Sequence, residues 1–440
     1  MAALADVGLL NLAFILLGVM LVFLASGVWI AISLGIVGLA AMLFTANVPI
    51  GNVLATTVWA SSASWTLAAL PLFIWMGEIL FRTKLSEEMF RGLAPWLQWL
   101  PGRLMHVNVV GCGIFAAVSG SSAATCATIG KIALPELEKR GYDKQMSLGS
   151  LAGSGTLGLL IPPSIPMVVY AVTANVSVLQ VFLGGFLPGA LVMALYSGYI
   201  IVWSLLNPAK TPPRDPPLPF AEKLRQSAKL LPCLLLILAV FFSLILGLAT
   251  ATECAAWGVA GALLLAWWSG TLTRETFFES VMSATRLTCM IMLILAGAAF
   301  TTAAMAYTGI PAGLAEWVQG QNLTPHKLVL ALTVMYIILG CLIDGISMIV
   351  LTAVIVLPMV KQAGFDLVWF GVYLIIHVEM AQITPPVGFN LFVLQNMSGR
   401  DTWSVAKAAF PFFLLLNVAV FIITFFPEIV LVLPRLGYGQ

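Results

Sequence analysis

The sequence predicts an all-α polytopic membrane protein made of two copies of one unit. The first reason is composition, since 61% of the 440 residues are hydrophobic and 9% are charged, whereas about 25% of an average soluble domain is charged. The second is that the apolar runs are continuous and about 20 residues long, as in helices that cross a bilayer, and lack the alternation of barrel strands. The third is an internal repeat, described below.

Charge and cysteine content exclude several classes of protein. The net charge is +2, and no basic patch interleaved with aromatic residues indicates binding to nucleic acid. The six cysteines are scattered without a CxxC pair, so neither a zinc site nor a disulfide framework is predicted. No G-x-x-x-x-G-K-[ST] loop is present, which argues against an ATP-driven pump. We predict no catalytic residue and no organic cofactor.

The repeat emerges when the sequence is compared with itself 223 positions later. Chance would give about one proline match at a chosen offset, and four occur. The aligned residues are Pro135 with Pro358, Gly141 with Gly364, Asp143 with Asp366, Pro162 and Pro163 with Pro385 and Pro386, and Pro188 with Pro411. We predict a first repeat at 1–206, a linker at 207–229 and a second repeat at 230–434.

The distribution of Lys and Arg indicates that the two copies are inverted. The segment 82–103 is basic, whereas its counterpart near 303–325 has no Lys or Arg. Arg274 and Arg400 of the second copy likewise lack basic counterparts in the first. Because cytoplasmic loops are enriched in Lys and Arg, corresponding loops are expected on opposite faces. The Pro-rich linker, with five basic residues, is predicted to be cytoplasmic, and both termini periplasmic.

Each repeat is predicted to contain five transmembrane helices and a re-entrant hairpin. The hairpins, at 105–133 and 328–357, carry polar centres that contain glycine, "VSGSSAAT" and "CLIDGIS". The predicted crossings are 8–26, 28–47, 63–82, 146–171 and 181–205, and then 230–249, 252–269, 286–308, 368–395 and 405–433.

A double proline interrupts one predicted helix in each repeat. Such a break is tolerated at membrane depth only where the backbone is buried in protein or lines a wet cavity. Inverted repeats bring two breaks together near the midplane, where freed carbonyls and hydroxyls can ligate a small cation. Simple kinks are the alternative for each break taken alone, and the mirrored pair favours a site.

Asp344 is the most informative residue near these breaks. A central Asp costs about 2.5–3.5 kcal/mol on insertion scales, and a bound cation would offset that cost. The alternatives are a protonated Asp344 or a structural hydrogen bond to another helix. Because hard cations prefer oxygen ligands, we predict one sodium site at Asp344, Gly345, Ser347 and Thr384, and a second at the mirror positions Ser121, Ser122, Gly155 and Thr156.

Other polar residues are candidates for contacts with a substrate or a proton. Asn390 could bind substrate or bridge two helices. Glu379 and His377 lie two residues apart and so point to different helix faces, and the role of each stays open. The predicted substrate contacts are Ser122, Thr125, Ser154, Thr384 and Asn390.

Two long motifs resemble a known family. They are "GSSAATCATIGKIALPELEKRGYDKQMSLGSLAGSGTLGLLIPPSIPM" and "QITPPVGFNLF", and they resemble the large membrane subunit of tripartite ATP-independent periplasmic (TRAP) transporters. The resemblance covers nearly the whole chain. It implies sodium-driven secondary transport of an organic acid across the bacterial inner membrane. It also places sodium ligands at the predicted residues other than Ser347.

The resemblance implies partners and a mechanism as well. The expected partners are a soluble periplasmic binding protein and a small membrane subunit of about four helices, here a separate polypeptide. Elevator-type movement is expected, with a transport part at 105–205 and 328–433 and a scaffold at 1–104 and 230–327. The substrate stays open among C4-dicarboxylates, 2-keto acids, sugar acids and similar anions.

An enzyme is the rival hypothesis. Ser154 in "GSGT" is the 223-offset counterpart of His377, so the two could meet near the pseudo-axis as nucleophile and base of an intramembrane serine hydrolase. No third orienting group is evident. A passive channel accounts less simply for the intramembrane carboxylate.

Overall fold

The chain is helical throughout the part that the structure describes. A computed structural model describes residues 8–45, 48–83, 92–213, 218–313 and 324–438, and no strand occurs within these ranges. Lys84, Arg91, both termini and residues 314–323 of the 303–325 counterpart segment lie outside the described residues. Four described helices are long and apolar enough to cross a membrane, or five if the bent pair at 220–245 counts as one. The four are Val178–Leu206, Arg274–Thr308, Gly345–Gln362 and Thr402–Phe425.

The first half contains nine α-helices with both ends described, and a further helical stretch at 92–97. The nine are Leu9–Ala25, Ile30–Thr45, Ile50–Ser62, Ala69–Phe81, Met105–Ser119, Ser122–Lys139, Lys144–Thr156, Ile165–Ala174 and Val178–Leu206. The second half, from the linker onward, contains Phe220–Ser227, Leu231–Ile245, Ala251–Trp268, Arg274–Thr308, Pro325–Gly340, Gly345–Gln362, Leu367–Gln382, Phe389–Ser398, Thr402–Phe425 and Glu428–Tyr438.

The structure corrects several sequence-predicted boundaries. A helix at Ile50–Ser62 was not predicted, and the crossing predicted at 286–308 begins at Arg274. The crossing predicted at 405–433 is two helices, because Pro427 follows the first of them at Phe425. The linker is not wholly irregular, since Phe220–Ser227 is helical.

Residues that match in the repeat hold matching structural positions. Asp143 and Asp366 each cap a helix, accepting hydrogen bonds from the amides of Met146 at 2.8 Å and Val368 at 2.7 Å. The matched glycines at 141 and 364 precede these caps, both with positive φ (78° and 82°), a conformation that glycine adopts without steric cost. Both double prolines follow the capped helices, and both Pro–Pro peptide bonds are cis. The two halves therefore share one local plan.

Helices of the two halves pack reciprocally. Ile30–Thr45 packs on Arg274–Thr308, and their counterparts in the repeat, Ala251–Trp268 and Ala69–Phe81, pack on each other. Close approach is possible because Gly297 faces the Ala31 carbonyl, which a Cβ would meet at 2.5 Å. Such an exchange of partners is what a two-fold relation produces.

The same reciprocity holds among the helices that follow. Lys144–Thr156 packs on Thr402–Phe425, and their counterparts Leu367–Gln382 and Val178–Leu206 also contact each other. The helices Ser122–Lys139 and Phe389–Ser398 contact each other, and so do their counterparts Gly345–Gln362 and Ile165–Ala174.

The contacts divide the helices into two sets. We call the helices within 8–83 and 231–308 the framework helices, and those within 105–206 and 325–438 the junction helices. Packing is extensive within each set, whereas contacts between the sets are fewer and involve mainly Ala69–Phe81 and Arg274–Thr308 from the framework. The assignment of these two sets to a scaffold and a transport part stays a prediction.

Basic segments from distant parts of the chain meet at one end of the helices. Arg82 pairs with Glu279 at 3.6 Å and Lys210 with Asp143 at 3.8 Å. The indole of Trp96 donates to the Ser227 hydroxyl at 2.6 Å, which ties the segment after residue 92 to the end of the linker. We call this the basic end.

Gly149 offers a test of the packing among junction helices. A Cβ at this position would lie 2.2 Å from the Ala408 carbonyl oxygen, so Gly149→Ala must displace the Thr402–Phe425 backbone. Overpacking costs about 1–3 kcal/mol, and we expect a lower melting temperature of the purified protein in detergent. Gly198→Ala is the control, because nothing lies within 4 Å of its Cβ position. Equal melting temperatures for the two variants would contradict the observed packing.

Candidate functional site

The first double proline lies in a gap between two helices. The helix Lys144–Thr156 continues as a short 3₁₀ turn at Leu157–Leu159, and regular helix resumes at Ile165. Within the gap the buried Ser164 hydroxyl donates to the Leu159 carbonyl. A side chain thus satisfies one of the carbonyls that the interruption frees.

The turn between Met105–Ser119 and Ser122–Lys139 packs into this gap. Gly120, at the turn, has φ +56°, and a Cβ there would lie 2.8 Å from the Pro163 carbonyl oxygen. On the opposite side, a Cβ at Gly158 would lie 2.5 Å from the Ser121 carbonyl oxygen. Only glycine allows both approaches, so the polar turn reaches the broken backbone directly.

The hydroxyls of this turn are bonded to one another. The Ser119 and Thr125 hydroxyl oxygens are 2.7 Å apart, and Thr125 donates to the Ser121 carbonyl at 2.8 Å. The Ser121 side chain caps the following helix by accepting from the Ala124 amide at 3.4 Å. The turn therefore concentrates hydroxyl and carbonyl oxygens, the ligand type that hard cations prefer.

Asn390 joins this turn to the second broken helix. The Ser122 hydroxyl donates to Asn390 Oδ1 at 2.9 Å, and Asn390 Nδ2 donates to the Ala152 carbonyl at 3.2 Å. Ser122 and Asn390 are buried. Of the two roles considered for Asn390, bridging helices is the one that the structure has. We call this contact the Asn390 junction.

Gly155, Thr156 and Ser154 complete the first cluster. A Cβ at Gly155 would lie 2.8 Å from Cys126 and 3.1 Å from Asn390 Nδ2, so the position faces the junction. Thr156 donates to the Gly153 carbonyl at 2.8 Å. The Ser154 hydroxyl is buried without a hydrogen-bond partner among the described residues. The structure thus links Ser121, Ser122, Thr125 and Gly155 through the turn and the Asn390 junction, whereas Thr156 bonds within its own helix.

Asp344 has a structural role that the sequence analysis did not assign to it. Its carboxylate caps Gly345–Gln362, accepting from the amides of Ile346 at 3.1 Å and Ser347 at 3.2 Å, and from the Ser347 hydroxyl. The hydrogen bonds lie within its own turn and do not reach another helix. A carboxylate offers about four lone-pair sites, so three accepted bonds leave capacity for a ligand.

Thr384 lies in the same neighbourhood as the Asp344 turn. Cβ atoms at Gly340 and Gly345 would lie 2.9 Å from Ala381 and 2.1 Å from Val378, so both ends of the turn pack on the helix that precedes Thr384. The Thr384 hydroxyl donates to the Met380 carbonyl at 2.5 Å. No hydrogen bond between Thr384 and Asp344 occurs in the described structure, so the grouping of the second cluster is looser than predicted.

His377 does not pair with Ser154, which removes the basis of the hydrolase hypothesis. Its Nδ1 bonds the Tyr373 carbonyl at 2.8 Å, and its ring packs on Tyr373 and Tyr336 at centroid distances of 4.4 and 5.5 Å. His377 is a buried aromatic packing residue.

Glu379 is a buried carboxylate whose surroundings sequence reasoning missed. It is fully buried, and neither carboxylate oxygen meets the geometric criterion for a hydrogen bond within the described ranges. Its helix packs on the turn Leu157–Leu159 of the first gap and on Val178–Leu206. The signal in the sequence was a lone Glu in an apolar run, which gave no indication of the element that it faces.

A family model covers most of the chain. Residues 17–429 match the model described as the tripartite ATP-independent periplasmic transporter, DctM component. The chain belongs to this family of TRAP transporter large permeases. The permease is also 31% identical to the C4-dicarboxylate TRAP transporter large permease protein DctM of Vibrio cholerae, with 97% of this chain and 98% of that protein covered. The sialic acid TRAP transporter large permease protein SiaM of the same organism is 27% identical, with 95% and 97% covered.

Solved structures show the fold of the permease. The YdaH transporter of Alcanivorax borkumensis aligns with a TM-score of 0.58 at 12% identity, over 88% of each chain. MtrF of Neisseria gonorrhoeae aligns with a TM-score of 0.51 at 10% identity, over 83% of this chain and 81% of that one. The prediction of an all-helical membrane protein that is not an enzyme is confirmed, because the relatives are transporter permeases.

Asn390 provides a test of the junction. In Asn390→Ala, the Ser122 hydroxyl and the Ala152 carbonyl both lose a buried partner, which costs about 1–3 kcal/mol. We expect a lower melting temperature of the purified permease. Asn396→Ala is the control, because that exposed amide lies on the same helix away from the junction. If the two variants had the same melting temperature, Asn390 would not hold the polar turn and the second broken helix in place.

Proposed function

We propose that the permease is the membrane carrier of a sodium-driven system that imports an organic carboxylate delivered by a periplasmic binding protein. Membership of the TRAP family gives the coarse activity, secondary transport of an organic acid across the bacterial inner membrane together with a small membrane subunit and a binding protein. Sodium coupling, the binding residues and the mode of movement are the parts proposed here.

The observation that carries the proposal is the packing of the polar turn 119–125 into the first double-proline gap, with Asn390 reaching in from the second broken helix. Water is absent from the bilayer core, so polar backbone at that depth must be bonded internally or to a bound species. Hydroxyls and carbonyls gathered there suit a small hard cation.

We assign the two sodium sites to the two polar turns. The first is formed by Ser121, Ser122, Gly155 and Thr156, and the second by Asp344, Gly345, Ser347 and Thr384. The lone pair left on the Asp344 carboxylate supports the second assignment. The ion is cargo that enters and leaves in each cycle, and single carboxylates with neutral oxygens favour the moderate affinity that release requires.

The substrate is proposed to be a small organic acid. Relatives are named for C4-dicarboxylates, sialic acid and isethionate, all of which are anions at neutral pH. The proposed contacts are Ser122, Thr125, Ser154, Thr384 and Asn390. The buried Ser154 hydroxyl supports this assignment, because it has a donor available for a carboxylate.

Helix direction supports the inverted arrangement. Ala69–Phe81 ends beside Arg82, whereas Arg274–Thr308 begins a few residues before Glu279, and these two side chains pair. Equivalent stretches of the two repeats therefore run in opposite directions through the framework. Because the basic end collects Lys and Arg, the positive-inside rule favours its placement at the cytoplasmic face.

The separation into framework and junction helices supports elevator-type movement. The junction helices hold both polar turns and both broken helices, so they can carry ions and substrate as one unit. The sparse contacts between the sets give a surface along which that unit can slide while each set keeps its internal packing.

A substitution at Asp344 can test sodium binding separately from helix capping. Asn is as good an N-cap as Asp, so Asp344→Asn should keep the melting temperature while the sodium concentration for half-maximal uptake rises about tenfold, or about 1.4 kcal/mol. Uptake would be measured in proteoliposomes with the small subunit and the loaded binding protein. Asp401→Asn is the matched control, because Asp401 also caps a helix through Ser404. A wild-type sodium response in Asp344→Asn would remove Asp344 from the site, and wild-type uptake without sodium would refute coupling.

A cross-link tests the movement. A Cβ at Gly77 of the framework would lie 3.3 Å from the Ser119 Cα of the junction helices, within reach of a disulfide. We expect the Gly77→Cys/Ser119→Cys variant to transport when reduced and to stop when oxidised. The control pair, Gly38→Cys/Thr301→Cys, joins two framework helices at the same Cβ-to-Cα distance of 3.3 Å, and its oxidation should leave uptake intact. Transport through the oxidised first pair would exclude sliding of the two sets.

A further inference from the structure

The basic end contains a cavity that the proposed function has not used. It has a volume of about 380 Å³ and lies between the helices Ser122–Lys139, Lys144–Thr156 and Phe389–Ser398. Its lining includes three cationic side chains, Lys131, Lys144 and Arg400, and one carboxylate, Glu138, which gives a net charge of +2.

Ion pairing with Glu138 involves only one of the three cationic side chains. Lys144 pairs with Glu138 at 2.5 Å, so its charge is largely matched. Lys131 and Arg400 form no ion pair within 4 Å in the described part of the chain. Arg400 is half-buried, which makes its charge less screened by solvent than that of a fully exposed side chain.

The cavity and the Asn390 junction are built by the same three helices. Gly130 lines the cavity eight residues beyond Ser122, or about 12 Å along the helix at 1.5 Å per residue. Leu148 lies four residues before Ala152, about 6 Å away, and Met397 lies seven residues after Asn390, about 10 Å away. All three displacements lead from the junction toward the basic end.

The mirror-related place in the other repeat carries a smaller charge. With the 223-residue offset, the counterparts of the three cationic residues are the uncharged Val354, Leu367 and Ser177, and the counterpart of Glu138 is Lys361. The space there is also occupied. Tyr170 packs directly against Gly371, and its hydroxyl donates to the Leu367 carbonyl at 2.6 Å. The counterpart of Tyr170 in the second repeat is the smaller Val393.

We propose that this cavity is the cytoplasmic release vestibule of the permease, which receives the substrate anion after it leaves the Asn390 junction. The proposal rests on the proposed function for its substrate class. The cavity is not a consequence of the pseudo-symmetry of the fold, because the equivalent place in the other repeat is filled. Unmatched cations at its wall attract a carboxylate, and their exposure lets the anion leave.

The first experiment measures the electrostatics of the cavity without requiring transport. Ser398, which lines the cavity, is replaced by Cys, and its modification by the anionic reagent MTSES and the cationic reagent MTSET is followed in inside-out vesicles, with the unsubstituted chain as background. Lys131→Gln/Arg400→Gln should lower the MTSES-to-MTSET rate ratio at least about tenfold, given two charges within several ångströms in water. Lys139→Gln/Arg225→Gln removes the same charge from exposed positions outside the cavity and should change the ratio little. Equal ratios in the two double variants would overturn the proposal.

The second experiment identifies the occupant. Succinate should slow MTSES modification of Ser398→Cys more than sodium chloride of equal ionic strength does, and the protection should disappear in Lys131→Gln/Arg400→Gln. Protection by cardiolipin in the vesicles, with none by succinate, would make the cavity a lipid headgroup site and overturn the proposal. If the wild-type system failed to import any organic acid, the proposed function would fall, while the modification rates would still report on the vestibule's charge.

Discussion

The structure depends on the need to satisfy broken backbone where water is scarce. Each double proline interrupts a helix, and each interruption exposes peptide groups that hydrocarbon cannot bond. At the first gap, a polar turn packs closely against the interrupted backbone. Glycine permits this packing because Gly120 and Gly158 approach backbone carbonyls too closely for a Cβ. The Ser164 hydroxyl and the Asn390 amide supply further bonds. The contacts that bring these oxygens together in the membrane therefore also hold the surrounding helices in place.

Reciprocal packing explains how one unit, used twice, makes a single body. Ile30–Thr45 and Ala69–Phe81 of the first repeat each rest on a non-equivalent helix of the second, and the same exchange recurs among the junction helices. The repeats are consequently interleaved, and neither half would bury its apolar surface alone. The framework set and the junction set each contain helices from both repeats. Movement between the sets therefore needs no separation of one repeat from the other.

Several equivalent positions of the two repeats carry different residues. Asp344 caps its helix through a carboxylate, whereas the equivalent turn uses the Ser121 hydroxyl. Tyr170 fills one of two equivalent places with an aromatic ring, and the other is open and cationic. The buried Glu379 has Thr156 as its equivalent in the first repeat, so a carboxylate stands in one repeat where a hydroxyl stands in the other. The repeats therefore share a backbone plan but differ in the charge that they present.

By itself, the sequence determined the class, the repeat and the breaks. Apolar runs and prolines act over a few residues, so most helices and the gaps after Thr156 and Gln382 could be predicted from local physics. The assignment of ions or substrate to the first cluster stays a prediction. Only the tertiary structure decided which elements meet. Asn390 bridges helices, Asp344 caps its own helix, His377 packs among tyrosines, and the basic cavity lies between helices of both repeats. Each of these depends on contacts between residues far apart in the chain, and neither composition nor spacing records which residue will lie opposite another.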